Sequence, residues 1–456
     1  MENIQKIYFL GIGGIGMSAI ARYFSERGAQ IFGYDRVRSS LCEELERKGM
    51  QIHYEENISL IPKDLDLVIY TPAIPATHEE LQYFRREGIA LKKRAEVLGI
   101  ISKNQRCLAV GGTHGKTTTS AILTHLLRSG GVDCSAFLGG ISLSLGANFV
   151  SGSTDIVVVE ADEFDRSFLQ LTPEVAIITS TDADHLDIYG TAENIEATYR
   201  QFATQTTRLI IQKQGLNLPT SATQTNYTYN TNTDKNSDKN SNTAQVVAEN
   251  IRIENGFFCF DYRHDANGVF MPNLQFSQFG RHNVENATAA ITAALSVGAS
   301  QDGIREGLQT FGGIRRRFEF IIRTDNQVFI DDYAHHPSEL KAAIEAARAL
   351  YPDKKIKGIF QPHLYSRTKD FADGFAEALD LLDEIVLLDI YPARELPMAG
   401  VNSEMILERM RNRRRQLIHK EQLLAHLRDT PKAEVLLTLG AGDIGAMIGE
   451  IKALYV

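Results

Sequence analysis

Short apolar runs of about five residues alternate with longer amphipathic stretches along most of the chain, and the runs stop at glycine or at a polar residue. Runs of that length, bounded by turn residues, read as buried strands; the stretches between them read as helices. Strands are predicted over 6–10, 30–34, 65–70 and 90–92, with helices over 17–27, 78–87 and 94–101. A second series places strands at 107–110, 155–159, 175–179, 246–253 and 257–262. One helix of this series ends at Gly130-Gly131, and an alanine-rich helix follows Asn286. A third series places strands at 327–330, 356–360, 384–388 and 434–439. The repeated strand–helix rhythm predicts an α/β fold in three domains: a Rossmann-like N-terminal domain, a central P-loop domain and a Rossmann-like C-terminal domain. The polar stretch Ser102-Lys-Asn-Gln105 and the pair Gly312-Gly313 set expected boundaries of 1–104, 105–313 and 314–456. Residues 217–243 lose the pattern: they are rich in Asn, Thr and Ser and are expected to form a solvated insertion without chemistry.

Two strand–glycine-loop–helix segments carry phosphate-binding physics. In the first, Gly11-Ile-Gly13-Gly14-Ile-Gly16 follows a strand and opens a helix, and Asp35 closes the next strand. Glycines let backbone N–H groups approach a diphosphate, and the helix N-terminus favours its charge. Taken alone this is a dinucleotide fingerprint, but any nucleotide diphosphate satisfies it. In the second, the strand at 107–110 leads to Gly112-Thr113-His114-Gly115-Lys116-Thr117-Thr118. Lys116 is placed to reach the outer phosphates of a nucleotide, and the Thr117 hydroxyl to sit on Mg²⁺. Val110 stands where the common P-loop has its first glycine, so this loop is a shorter form.

Acidic residues gather at the ends of the neighbouring strands. Glu160, Asp162 and Glu163 close one; Asp182, Asp184, His185 and Asp187 close the next. A carboxylate ending a buried strand beside a P-loop is a usual Mg²⁺ ligand, and Thr117, Glu160 and His185 together would hold one or two such ions. Further on, Arg281, His282, Asn283 and Asn286 open a helix and can reach a base or a phosphate, or serve as caps. Arg315, Arg316 and Arg317 read as an anion contact. In the last third, polar residues collect at successive strand ends: Asp331, Tyr333 and His335; His363 and Arg367; Asp389; Gly440 and Asp443. Such an edge is where open α/β sheets bind ligands, as is the stiff loop Thr71-Pro72-Ala73.

The chain has 456 residues, too many for one core. A net charge of −9 without a long basic run argues against a general nucleic-acid or membrane-surface role. Four scattered cysteines, Cys42, Cys107, Cys134 and Cys259, with no CxxC pair, argue against structural zinc and a disulfide framework. No leader or spanning segment is evident, so a cytoplasmic protein is expected.

The compact loop GTHGKTT, with GIGGIGMSAIA, EADEFDRSFL, TDADHLDIYG, GRHNVENATAA, RRRFE, DDYAHHPSE and HLYSRTKDF, resembles the Mur ligase family over essentially the whole chain. The resemblance is to its alanine-adding branch. It implies that the first domain holds the UDP-sugar, at Gly11, Gly13, Gly14, Gly16, Asp35 and the loop Thr71, Pro72 and Ala73. It implies ATP at Gly112 to Thr118, with Asn283, Asn286 and Asp331 near the nucleotide and Arg317 near its phosphates. Magnesium, with manganese as a substitute, would rest on Thr117, Glu160 and His185. Tyr333, His335, His363 and Arg367 would receive the amino acid, and the C-terminal domain would close over the site. The implied reaction joins L-alanine to the lactyl carboxylate of UDP-N-acetylmuramate through an acyl phosphate, with ATP giving ADP and phosphate. Lys116, Glu160, His185, His335 and His363 are the candidate catalytic residues, and the choice of base between His335, His363 and another group stays open. Other members carry a carbamoylated lysine about fifteen residues after the metal histidine; counting from His185 places Arg200 there. A monomer or weak homodimer is expected, without nucleic acid or membrane. A nicotinamide oxidoreductase would leave the P-loop without a role, an ATP-driven switch would need no amine acceptor, and a ligase of a recycled tripeptide would share most of these motifs.

Overall fold

The computed structural model describes residues 4–182, 186–216, 218–221, 224–231, 244–393 and 395–456, with residues 186 and 187 described by backbone alone. They form two compact units, 1–277 with 283–312, and 278–282 with 313–456. The first unit contains two sheets. One runs β3-β2-β1-β4-β5, all parallel, from β1 (Lys6–Leu10), β2 (Gln30–Tyr34), β3 (Gln51–His53), β4 (Leu67–Tyr70) and β5 (Leu91–Lys93). β1 and β2 lie where their apolar runs place them, because a central parallel strand is covered on both faces and tolerates no polar interruption.

The second sheet is built on β6 (Arg106–Gly111), β7 (Ser135–Ser142), β8 (Ala147–Val150), β9 (Ile156–Glu160), β10 (Val175–Ile178) and β11 (Leu209–Lys213). It extends through β12 (Thr225–Thr231), β13 (Val246–Glu254), β14 (Phe257–His264) and β15 (Val269–Phe276). The order is β15-β14-β13-β12-β11-β10-β6-β9-β7-β8, parallel from β7 to β13 and antiparallel at both ends. β6, which feeds the glycine loop, is central, between β10 and β9.

β12 corrects the expectation of a solvated insertion at 217–243. Its seven residues pair in parallel with β11 and β13, and Tyr229 is buried. The strand fills the gap between two apolar strands and satisfies their backbone groups, work that needs little apolar content of its own. Most of the remainder of that segment lies outside the described residues.

The polar stretch at the expected boundary between the first two domains closes a helix, Arg94–Lys103, with Ser102 fully buried. The helix Ile15–Ser25 that follows β1 packs against β7 and β8 of the second sheet. Asn148 Nδ2 donates to Ser18 Oγ at 2.9 Å, and Tyr23 meets Phe137 and Phe149 at 5.5 and 5.9 Å between ring centres.

The second unit holds one sheet, β16-β17-β21-β18-β19-β20, from β16 (Glu319–Arg323), β17 (Val328–Asp332), β18 (Ile356–Phe360), β19 (Glu384–Leu388), β20 (Arg415–Ile418) and β21 (Val435–Leu439). All pairs are parallel except β16 with β17. Among the described residues no helix is long and apolar enough to cross a membrane.

Candidate active site

In the first unit, β6 delivers the chain to the loop at Gly112, and Gly115, at φ 81°, turns it into the helix Lys116–Ser129. A side chain at Gly115 would be both strained and blocked: its Cβ would lie 2.7 Å from Asn286 Oδ1. Asn286 is buried and donates to Asn283 Oδ1 at 3.3 Å, so this asparagine pair, on the helix Arg281–Ser296, backs the glycine loop. The strand end after β10 shapes the loop from the other side. Ser180 Oγ accepts from the His114 N–H at 2.9 Å, Thr113 Oγ1 donates to the Asp182 carbonyl at 2.8 Å, and Thr179 Oγ1 donates to the His114 carbonyl. Thr118 stands half-buried in the first turn.

Lys116 and Thr117 meet the acids that end β9. Thr117 Oγ1 donates to Glu160 Oε1 at 3.0 Å, and the Gly139 N–H donates to Glu160 Oε2 at 2.9 Å. Lys116 Nζ lies 2.8 and 2.7 Å from the two oxygens of Glu163. Asp162 is held by Arg94 at 2.8 Å. Burial would lower the Lys116 pKa, but Glu163, Asp162 and Glu160 outweigh it and raise it above the ordinary lysine value. Burial lifts Glu160 above the usual carboxylate range and lifts Glu163 to about 7, against the pull of Lys116. Burial also pushes on Asp162, but Arg94 and Lys116 keep it below that range.

Thr117 and Glu160 thus present hard oxygen donors side by side, the donor chemistry Mg²⁺ takes. His185, the third expected ligand, lies outside the described residues, as does Asp184. Among the described residues no three His, Cys, Asp or Glu side chains cluster as a metal site. Arg200, expected by counting at the position of a metal-bridging lysine, is on the outer side of the helix Ala192–Gln205: its side chain is 53% exposed and pairs with Glu196 at 2.6 Å. One position earlier, Tyr199 is fully buried, so the helix phase turns Arg200 away from the loop.

The first glycine loop is built differently. The Gly13 N–H donates to Asp35 Oδ2 at 2.8 Å and the Val37 N–H to Oδ1 at 3.1 Å, so both oxygens of Asp35 brace backbone. A Cβ on Gly13 would lie 2.5 Å from Cys42 Sγ and 2.9 Å from Asp35 Oδ2. Thr71 abuts Gly11, and Gly14 and Gly16 lead into the helix Ile15–Ser25. Beside Thr71 and Ala73, Pro72 lines a cavity of about 460 Å³ with Ile74, Arg85, Lys93, Phe164 and Asp165. The cavity therefore joins the loop after β4 to the segment after Glu163. Asp165 and Arg166 there hold φ of 53° and 54°, a left-handed conformation that non-glycine residues rarely adopt.

In the second unit, the loop after β17 and the start of the helix Tyr365–Leu379 bring four expected residues together. The rings of His335 and Tyr333 lie 5.4 Å apart, those of His335 and His363 6.1 Å, and Arg367 Nη1 is 3.3 Å from His363 Nδ1. Arg367 is buried. Burial holds the His335 pKa at about 4, with Arg367 adding to it and Glu339 opposing, so its imidazole is neutral at pH 7. The basic cluster splits by role. Arg316, not Arg317, holds Asp331, at 2.9 Å, while Thr438 donates to the other oxygen at 2.7 Å. Arg317 lies 3.8 Å from Glu339 and beside the Tyr333 ring.

Sequence reasoning missed Glu163 as the partner of Lys116, Arg94 as that of Asp162, and Glu339. The run Glu160-Ala-Asp162-Glu163 signals acids at a strand end, but which acid meets which base depends on the turn that follows.

Three family models match consecutive parts of the chain: the Mur ligase family catalytic domain at 6–106, the Mur ligase middle domain at 110–294 and the Mur ligase glutamate ligase domain at 316–442. The chain is 47% identical to UDP-N-acetylmuramate–L-alanine ligase of Flavobacterium johnsoniae, over 100% of this chain and 98% of that one. The solved UDP-N-acetylmuramate–alanine ligase of Thermotoga maritima is similar at a TM-score of 0.83 and 28% identity, covering 99% of both chains. A murein peptide ligase from Psychrobacter arcticus shares the fold at a TM-score of 0.72 and 22% identity, over 99% of this chain and 98% of that one.

Proposed function

The chain belongs to the Mur ligase family, and from that premise we infer that it is the ATP-dependent ligase joining L-alanine to UDP-N-acetylmuramate in peptidoglycan precursor synthesis. The observation that carries the reading is the full-length likeness to enzymes of that name, joined to a P-loop whose lysine and threonine meet two carboxylates, Glu163 and Glu160. An oxidoreductase has no use for that loop.

Carboxylate and amine do not condense unaided, so the carboxylate must first be activated. The lactyl carboxylate attacks the γ-phosphorus of ATP, forming a C–O–P bond as the bond to ADP breaks. The neutral amine of alanine then attacks the acyl carbon, and phosphate leaves with the electron pair of the broken C–O bond. We assign the ATP phosphates to the N–H groups of Gly112 to Thr118 and to Lys116, which would take up charge on the transferring group. Thr117 and Glu160, with His185, would hold Mg²⁺, which when bound neutralises phosphate charge. Asn283 and Asn286 brace the loop under the nucleotide. Arg317 and Asp331 remain assigned to it, Asp331 through its pairing with Arg316. The UDP-sugar is assigned to Gly11, Gly13, Gly14 and Gly16 and to the cavity beside Thr71, Pro72 and Ala73. The role of Asp35 there is to stiffen the loop.

Alanine is assigned to Tyr333, His335, His363 and Arg367, the guanidinium gripping its carboxylate. His335 and His363, 6.1 Å apart, stay the candidate acceptors of the ammonium proton, and the burial that holds His335 at about 4 opposes that role for it. Each of the three sheets marks one domain, with boundaries proposed at 1–104, 105–313 and 314–456.

The test is ADP release from purified protein with all three substrates, alanine set against the L-Ala-γ-D-Glu-diaminopimelate tripeptide as acceptor. Turnover with alanine and none with the tripeptide is expected; the reverse would make the protein a recycling ligase.

A further inference from the structure

An ammonium has three protons to donate. Lys116 spends them on its own loop and on one acid: the Gly112 carbonyl at 2.7 Å, the Thr113 carbonyl at 3.3 Å, and Glu163, whose oxygens lie at 2.8 and 2.7 Å. Glu163 is 4% exposed, and its backbone is pinned by the Tyr189 hydroxyl, which donates to its carbonyl at 2.6 Å. The neighbouring acids are engaged elsewhere, Asp162 by Arg94 and Glu160 by Thr117 and the Gly139 N–H. Of the three, Glu163 is the one that grips the lysine, and it does so with Nζ folded back onto the loop.

We propose that Glu163 is a positioning residue that latches Lys116, so that ATP engages the lysine only by displacing this carboxylate. The inference rests on the assignment of ATP to this loop. A phosphate oxygen and a buried carboxylate on one ammonium repel each other at short range, and in a site shielded from water that repulsion is little screened. The two carbonyl contacts are to neutral acceptors and do not oppose a phosphate in this way. Displacing Glu163 is therefore the step that costs nucleotide affinity, and releasing the latch should recover it through Lys116 alone.

The experiment is titration calorimetry of the full-length protein with a non-hydrolysable ATP analogue and Mg²⁺, for the parent, Glu163→Gln, Lys116→Met and the double variant. Glu163→Gln should bind about fivefold or more tightly, the low end of ordinary coupling between sites. Lys116→Met should bind more weakly, and the double variant should match Lys116→Met within about twofold, the additivity limit of such cycles. Glu163→Asp keeps the charge but retracts it by one methylene, and should also bind more tightly than the parent. Should Glu163→Gln lose its cooperative melt, Glu163→Asp carries the test. Unchanged or weaker binding in the folded Glu163 variants overturns the latch. So does equal tightening with and without Lys116, which would make Glu163 a general repulsion. Parent-like binding by Lys116→Met would instead overturn the assignment of ATP to the loop, and the latch with it.

Discussion

The first unit contains two loops of one plan, and they differ in where the neighbouring acid is spent. Both run from a central parallel strand through glycines into a helix: β1 into Ile15–Ser25, and β6 into Lys116–Ser129. In the first, the acid at the end of β2 bonds the loop itself, Asp35 to the Gly13 N–H. In the second, the acids at and after the end of β9 bond side chains, Glu160 to Thr117 and Glu163 to Lys116. The first arrangement gives a stiff backbone cradle whose loop carries no lysine of its own, suited to a diphosphate that is held and not broken. The second gives a movable cation and an oxygen edge, suited to a phosphate that is transferred. The same glycine physics serves binding or chemistry according to whether the acid locks the backbone or poises a side chain.

The comparison is broken most directly at Lys116. Lys116→Ala should lower ligation by about a thousandfold, at the upper end of what losing one donor to transition-state charge costs. UDP-sugar affinity, measured without ATP, should stay at the parent value. A shared loss would mean that the two loops do not divide the work.

Gly13→Ala tests the cradle. Its methyl would meet Cys42 Sγ at 2.5 Å, so the loop must shift. The apparent KM for UDP-sugar should rise about tenfold, or about 1.4 kcal/mol, with that for ATP much less affected. Steady-state kinetics with each substrate varied in turn checks this. The proposed acceptor site gives the reference case, since neither loop is assigned to it. Arg367→Lys keeps charge but loses the fork, and should raise the apparent KM for alanine about tenfold, moving those for ATP and UDP-sugar far less. A shift in ATP saturation alone would assign Arg367 to the phosphates.

The smallest expected effect extends the comparison to a group tuned by burial instead of by an acid. His335 is held at about 4 when folded, below the ordinary histidine value of about 6.5. Between those values the unfolded chain binds a proton that the folded protein refuses, so stability falls as pH drops from about 6.5 towards 4 and is unaffected above that window. His282, also held at about 4 by burial, adds to the same slope. Melting temperatures from pH 7.5 to 5 should fall less steeply for His335→Gln than for the parent; parallel curves would show that His335 titrates normally.

The amino-acid sequence by itself determined the strands that are covered on both faces. β2, β18 and β19 occupy 30–34, 356–360 and 384–388 as their mainly apolar runs state, because a parallel strand packed on both faces is dominated by apolar residues, with Lys357 in β18 the buried exception. It also determined both glycine loops and the candidate residues in the third sheet's loops, since a phosphate cradle needs glycine at fixed spacing and the ends of parallel strands collect on one edge. Only the tertiary structure decided the rest. β12 is a strand because β11 and β13 leave it a place, and its Thr-Asn-Tyr-Thr-Tyr-Asn-Thr carries too little apolar pattern to declare itself. Counting from His185 placed Arg200 where other members carry the carbamoylated lysine, but only the helix phase shows that its side chain turns outward, because residues one apart on a helix point about a hundred degrees apart. Which acid grips Lys116, and which arginine grips Asp331, could not be read from runs of like residues such as Glu160-Ala-Asp162-Glu163 or Arg315-Arg-Arg317. An ion pair is set by separations of a few ångströms, and those follow from how distant strands and turns pack, not from order along the chain.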